Sequence, residues 1–142
     1  MNDFTLDPQL AKDCIELGNL RLCKLLLMNN KQYPWLILVP RQSKATEIHH
    51  LGKEDQISLI MESNLVARLM EKLFAPDKLN SAAIGNVVSQ LHIHYVARYK
   101  TDQAWPKPVW GHSPAIAYED SKIKELTTLI QDELAAYLKK PS

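Results

Sequence analysis

The sequence predicts an α+β domain: an antiparallel sheet with a long crossover helix and a C-terminal helix, the helices on one face of the sheet. Three observations carry this. Residues 54–74 place Ile57, Ile60, Met61, Leu65, Leu69 and Leu73 near the 3.6-residue period of a helix. Two apolar runs, 20–28 and 35–39, flank Asn29-Asn30-Lys31-Gln32, a link of turn composition, which suits an antiparallel hairpin. The stretch Gln90-Leu91-His92-Ile93 alternates polar and apolar residues, the period of a strand, and His94 and Tyr95 continue it.

In chain order, Asp7-Pro8 opens a first helix, because Asp caps and Pro suits the first turn. Leu10, Cys14 and Leu17 continue it at helical spacing, and Gly18 is its expected terminator. The hairpin follows, closed by Pro40. Helix 54–74 comes next, with Glu62, Arg68 and Lys72 expected on its outer side and Pro76 as its stop. Residues 79–84 form a strand that Gly85-Asn86 turns into the strand at 90–96. Helix 120–139 carries Ile123, Leu126, Ile130, Leu134 and Tyr137. That makes four strands and one domain over 1–142, with a core at about 5–112 and a helical extension at about 113–142.

Bulk properties bound the function. The 142 residues suit one domain with its own core, and 46% hydrophobic with 23% charged residues is ordinary for a globular chain. A formal net charge of +1 gives no surface for a nucleic-acid polymer, so any phosphate recognition must be local. Cys14 and Cys23 make neither a disulfide framework nor a metal pattern, and packing is their expected role. No signal peptide is expected, and no apolar run is long enough to span a bilayer, so no membrane partner and a cytoplasmic location are expected.

The chemistry-bearing feature is Gln90-Leu91-His92-Ile93-His94-Tyr95-Val96. Strand parity puts Gln90, His92 and His94 on one face and Leu91, Ile93 and Tyr95 on the other. Two imidazoles and an amide in a row could hold a phosphate or a metal, or be incidental polarity. The stretch resembles the signature of the histidine triad (HIT) family of nucleotide-binding proteins, His-φ-His-φ-His-φ-φ with φ apolar. Gln90 stands for the first histidine, and His92 and His94 match the second and third. Gly85-Asn86-Val87-Val88-Ser89 resembles the approach to that motif. Tyr33-Pro34-Trp35-Leu36-Ile37-Leu38-Val39-Pro40-Arg41 resembles its upstream partner. Trp105-Pro106-Lys107-Pro108-Val109-Trp110-Gly111 is similar to the tail of a bacterial HIT-like, diadenosine tetraphosphate hydrolase-like branch.

The resemblance implies a reaction: attack by His92 on the α-phosphorus of a nucleotide, giving a nucleotidyl-histidine that water or another acceptor resolves. A neutral imidazole is a competent nucleophile near pH 7. One ring nitrogen must face the phosphorus unprotonated, and the other must hold its proton against an acceptor such as a backbone carbonyl. His94 would bind a phosphate oxygen or assist the leaving group. Gln90 would keep a donor while losing a titratable group. Asn80, Asn86, Ser89 and Asn30 would contact the nucleotide, and Trp35, standing where many relatives have a further histidine, would shape the base pocket or pack. Expected substrates are dinucleoside polyphosphates or nucleoside phosphoramidates. A homodimer is implied. No cofactor is required, and no metal site is assigned; a divalent cation would come with substrate phosphates.

Two other readings remain open at this point: a nucleotide-binding module without catalysis, motivated by Gln90 and Trp35, and a metal-dependent enzyme using the His-x-His pair. His49 and His50 are expected at a loop or helix entry without a role. Arg41 and Arg98 end strands, where a surface ion pair is the expected use of each.

Overall fold

The computed structural model describes residues 3–142. Asp7 caps α1 (Pro8–Asp13), its carboxylate accepting from the Gln9 N–H at 2.8 Å. The helix stops there. Cys14–Asn19 is a strand, β1, which corrects the expected helix through Leu17. Leu17 is buried in β1, and the ladder slips between Glu16 and Gly18. Gly18 is thus a strand glycine at an irregularity, with φ +146°. A Cβ there would lie 2.4 Å from the Lys139 carbonyl oxygen, so the close approach of the C-terminal segment requires glycine.

β2 (Cys23–Met28) and β3 (Trp35–Pro40) form the expected hairpin. A 3₁₀ turn (Ile48–His50) leads into α2 (Lys53–Phe74), so His49 and His50 do sit at a helix entry. α2 ends at Ala75 in the left-handed region, just before Pro76. β4 (Lys78–Ala82) and β5 (Ile93–Arg98) follow, then α3 (Asp120–Glu133). The sheet is antiparallel, five-stranded and ordered β1-β2-β3-β5-β4. The fifth strand is the one read as helix.

Parity divides the core into two layers. Leu25 and Leu27 of β2, Leu36 and Leu38 of β3, and Ile93, Tyr95 and Ala97 of β5 pack with α2 and α3. Trp35, Ile37 and Val39 of β3, with Leu26 and Val96, face the opposite side. There Leu10 of α1 and Ala104 and Val109 cover them. Both faces are therefore covered, where the sequence placed helices on one.

Five side chains turn out opposite to expectation. Glu62 of α2 is buried: its carboxylate accepts from the Leu22 and Cys23 N–H groups at 2.9 and 2.8 Å. Ile57, Ile60 and Met61 are exposed, and Leu59, Val66 and Met70 take the inner face beside Leu69. Arg98 is buried and bidentate to Asp102 at 2.8 and 3.0 Å, not in a surface pair. Arg41 donates to the Leu20, Arg21 and Leu22 carbonyls. Among the described residues, no helix is long and apolar enough to cross a membrane.

Candidate functional site

β5 begins at Ile93, so Gln90 and His92 lie on the approach to the strand and not inside it. The alternation still holds: Leu91, Ile93 and Tyr95 enter one core layer, while His92 and His94 stand together with ring centroids 4.8 Å apart. Both imidazoles are buried.

Each ring has one defined partner. His92 Nδ1 lies 2.7 Å from the Gln90 main-chain carbonyl. A carbonyl only accepts, so Nδ1 carries the proton and a neutral His92 has its lone pair on Nε2. His94 Nδ1 lies 3.0 Å from Trp35 Nε1. An indole N–H only donates, so His94 Nδ1 accepts and Nε2 holds the proton. The two imidazoles are fixed as opposite tautomers. Burial, with the neighbouring His92, pushes His94 down from its ordinary 6.5 to about 4, so it is neutral at neutral pH.

Trp35 belongs here because β3 and β5 are adjacent. It pairs in register with Val96, and Ile37 pairs with His94. Its ring meets His94 edge-on at 5.6 Å. Trp110 completes the wall, 5.5 Å from His94 and 5.9 Å from Trp35, again edge-on. On the other side a small cleft is lined by Thr46, Glu47, Gly85, Ser89, Gln90 and His92. Nothing in the sequence points to Thr46 and Glu47, because the segment that carries them lies far from the motif in the chain.

The remaining candidates divide. Ser89 joins the His92 cleft, and Asn86 is exposed on the same approach loop. The Gln90 amide is engaged by the N-terminal segment: Nε2 donates to the Thr5 carbonyl at 2.8 Å and Oε1 accepts from the Asp7 N–H at 2.9 Å. Asn80 on β4 accepts from Arg98 at 2.8 Å. That guanidinium also lies near the rings of Tyr33 and Trp105, at 5.8 and 5.7 Å. Asn30 is buried, and its Oδ1 organises the turn by accepting from Gln32 and from the Ile116 N–H. The site thus gathers His92, His94, Trp35, Ser89 and the Gln90 backbone, while Asn80 and Asn30 hold the scaffold. Among the described residues, no group of three or more His, Cys, Asp or Glu side chains is placed to hold a metal ion.

The chain is similar over most of its length to known proteins. The HIT domain model matches residues 10–101. The chain is similar to a histidine triad protein from Marinobacter aquaeolei VT8, with 44% identity and a TM-score of 0.91 over 94% of this chain and 98% of that one. It is similar to another from Sinorhizobium meliloti 1021, with 41% identity and a TM-score of 0.91 over 94% and 99%. A third, from Bradyrhizobium japonicum, is 38% identical with a TM-score of 0.89 over 92% and 97%. No curated protein matches the chain.

Proposed function

The chain belongs to the histidine triad, or HIT-domain, family, and from that premise we propose that it is a nucleotide hydrolase or nucleotidyl transferase with His92 as nucleophile. The observation that carries this reading is the 2.7 Å hydrogen bond from His92 Nδ1 to the Gln90 carbonyl. It aims the reactive lone pair of Nε2 away from the backbone, as attack requires.

The chemistry follows from that tautomer. Nε2 forms a bond to the α-phosphorus, and the bond from phosphorus to the leaving group breaks with its electron pair on the leaving group. The imidazolium charge that develops is held against the carbonyl through Nδ1–H. Water then attacks the phosphorus, the P–N bond returns its pair to Nε2, and the water proton passes to solvent. His94 Nε2–H supplies a hydrogen bond to a phosphoryl oxygen, where charge accumulates. Ser89 and Asn86 are assigned to phosphate contact on the approach loop, and Trp35 with Trp110 to the pocket wall. Candidate substrates are dinucleoside polyphosphates and nucleoside phosphoramidates. The reading requires no resident cofactor; a divalent ion would arrive on substrate phosphates. It takes in a homodimer, which sedimentation would show as twice the 16.2 kDa chain mass, and a cytoplasmic location.

The test is incubation of the protein and His92→Ala with adenosine and guanosine dinucleoside polyphosphates and phosphoramidates, with products and trapped adduct read by mass spectrometry. Turnover with a nucleotidyl group on His92, both lost in the variant, is expected. Folded protein that binds nucleotide but gives neither turnover nor adduct would make it a binding module instead.

A further inference from the structure

We propose that Trp35 is a positioning residue of this site: its indole N–H fixes His94 as an Nε2–H donor, which suits the site to phosphoanhydrides, whose leaving group departs without taking a proton. The tautomer stands on geometry alone, and its catalytic consequence rests on the hydrolase reading above.

The indole has one polar atom and it only donates. Placed 3.0 Å from His94 Nδ1, it satisfies that nitrogen only when the nitrogen is bare. A proton on Nδ1, in the other neutral tautomer or in the cation, would set two N–H groups against each other in a buried pocket. A histidine at position 35, as the resemblance places in many relatives, could donate or accept and would leave His94 free to change tautomer. Tryptophan removes that freedom. Its own geometry is held by β3–β5 pairing on one side and by Trp110 on the other.

A donor of this kind stabilises oxyanion charge but is a very weak acid. The other position of the signature offers no acid either, because the Gln90 amide cannot exchange a proton at neutral pH and its nitrogen is engaged by Thr5. In the cleft beside His92, the Glu47 carboxylate accepts from the His50 backbone N–H. Cleavage of a phosphoramidate needs a proton on the departing nitrogen, since an amide anion is too basic to leave. Cleavage of a phosphoanhydride places the P–O electron pair on a phosphate oxygen, and that anion leaves as it is.

Nitrogen-15 NMR of the imidazoles at pH 7, with His94 assigned through His94→Gln, decides the first part without any turnover. Nδ1 should read as bare and Nε2 as protonated in the wild type, with a mixture of tautomers in Trp35→Phe, which keeps an aromatic ring and removes the N–H. A protonated Nδ1 in the wild type would overturn the proposal, whether or not the variant folds. For the second part, kcat/KM is compared on a matched pair, adenylate joined to phosphate and adenylate joined to an amine. The anhydride should be preferred by tenfold or more, and Trp35→Phe should lose roughly 10- to 100-fold on it, as when a group that orients a reacting residue is removed. Equal or faster cleavage of the amine-linked compound would overturn the leaving-group claim. Silence on both substrates would sink the hydrolase reading and leave the NMR result to judge Trp35.

Discussion

At the scale of single residues, His94 shows how a neighbour without charge governs a titratable group. From the approach to β5 it faces His92, from β3 Trp35, and from the tail segment Trp110; of these only His92 has an ionisable side chain. Its folded-state value of about 4 lies below the ordinary 6.5, so between those limits the unfolded chain binds more protons than the folded one. Stability therefore rises with pH through that window and falls as pH drops. At pH 5 the difference is worth about 2 kcal/mol. Urea unfolding at pH 7 and pH 5 should show the wild type losing about that much more than His94→Gln. Equal losses would mean that His94 is not held neutral. The pairing was half legible in the sequence. Parity gave the shared face of His92 and His94, but the indole contact needed the order of β3 and β5, which no local pattern contains. The burial of Arg98 was hidden for the same reason: its partners Asp102 and Asn80 lie on either side of it in the chain, and only the end of the sheet brings them together with Tyr33.

At the scale of elements, α2 was readable in extent and not in rotation. Its apolar residues are spread over more than one face, so the period identified a helix of nearly the right length while leaving the inner stripe ambiguous. Packing selected Leu59, Val66, Leu69 and Met70, and left Ile57, Ile60 and Met61 outside. Glu62 was expected outside because carboxylates usually are. It is inside because the turn into β2 has two buried N–H groups and no local acceptor for them. Glu62→Ala should cost roughly 2–5 kcal/mol, since both donors lose their partner. Glu62→Gln, which keeps one acceptor oxygen, should cost less. Chemical denaturation of the two variants checks the order; equal costs would show that the one retained oxygen satisfies neither donor. β1 was misread because Leu10, Cys14 and Leu17 satisfy helical spacing by coincidence. The slip between Glu16 and Gly18 breaks the strict alternation that would have shown a strand.

At the scale of the whole molecule, both ends of the chain return to the sheet, and one of them returns beside the site. The C-terminal segment pairs Lys139 with Asn19. The N-terminal segment is held by the Gln90 amide, through Thr5 and Asp7. The sequence alone made Gln90 a weakened first histidine, a judgement about chemistry at one position. In the fold its side chain belongs to the architecture and its carbonyl belongs to the site, and the two can be separated by substitution. Gln90→Leu removes both side-chain bonds to the N-terminal segment and leaves the carbonyl that holds His92 Nδ1. It should lower stability by about 1–3 kcal/mol and speed hydrogen exchange at the first residues of the domain. The nucleotidyl adduct should still form on His92, because the group that fixes its tautomer is main chain. Loss of the adduct in a folded Gln90→Leu protein would show that the amide acts on the substrate itself, and that its hold on the N-terminal segment gives way when nucleotide binds.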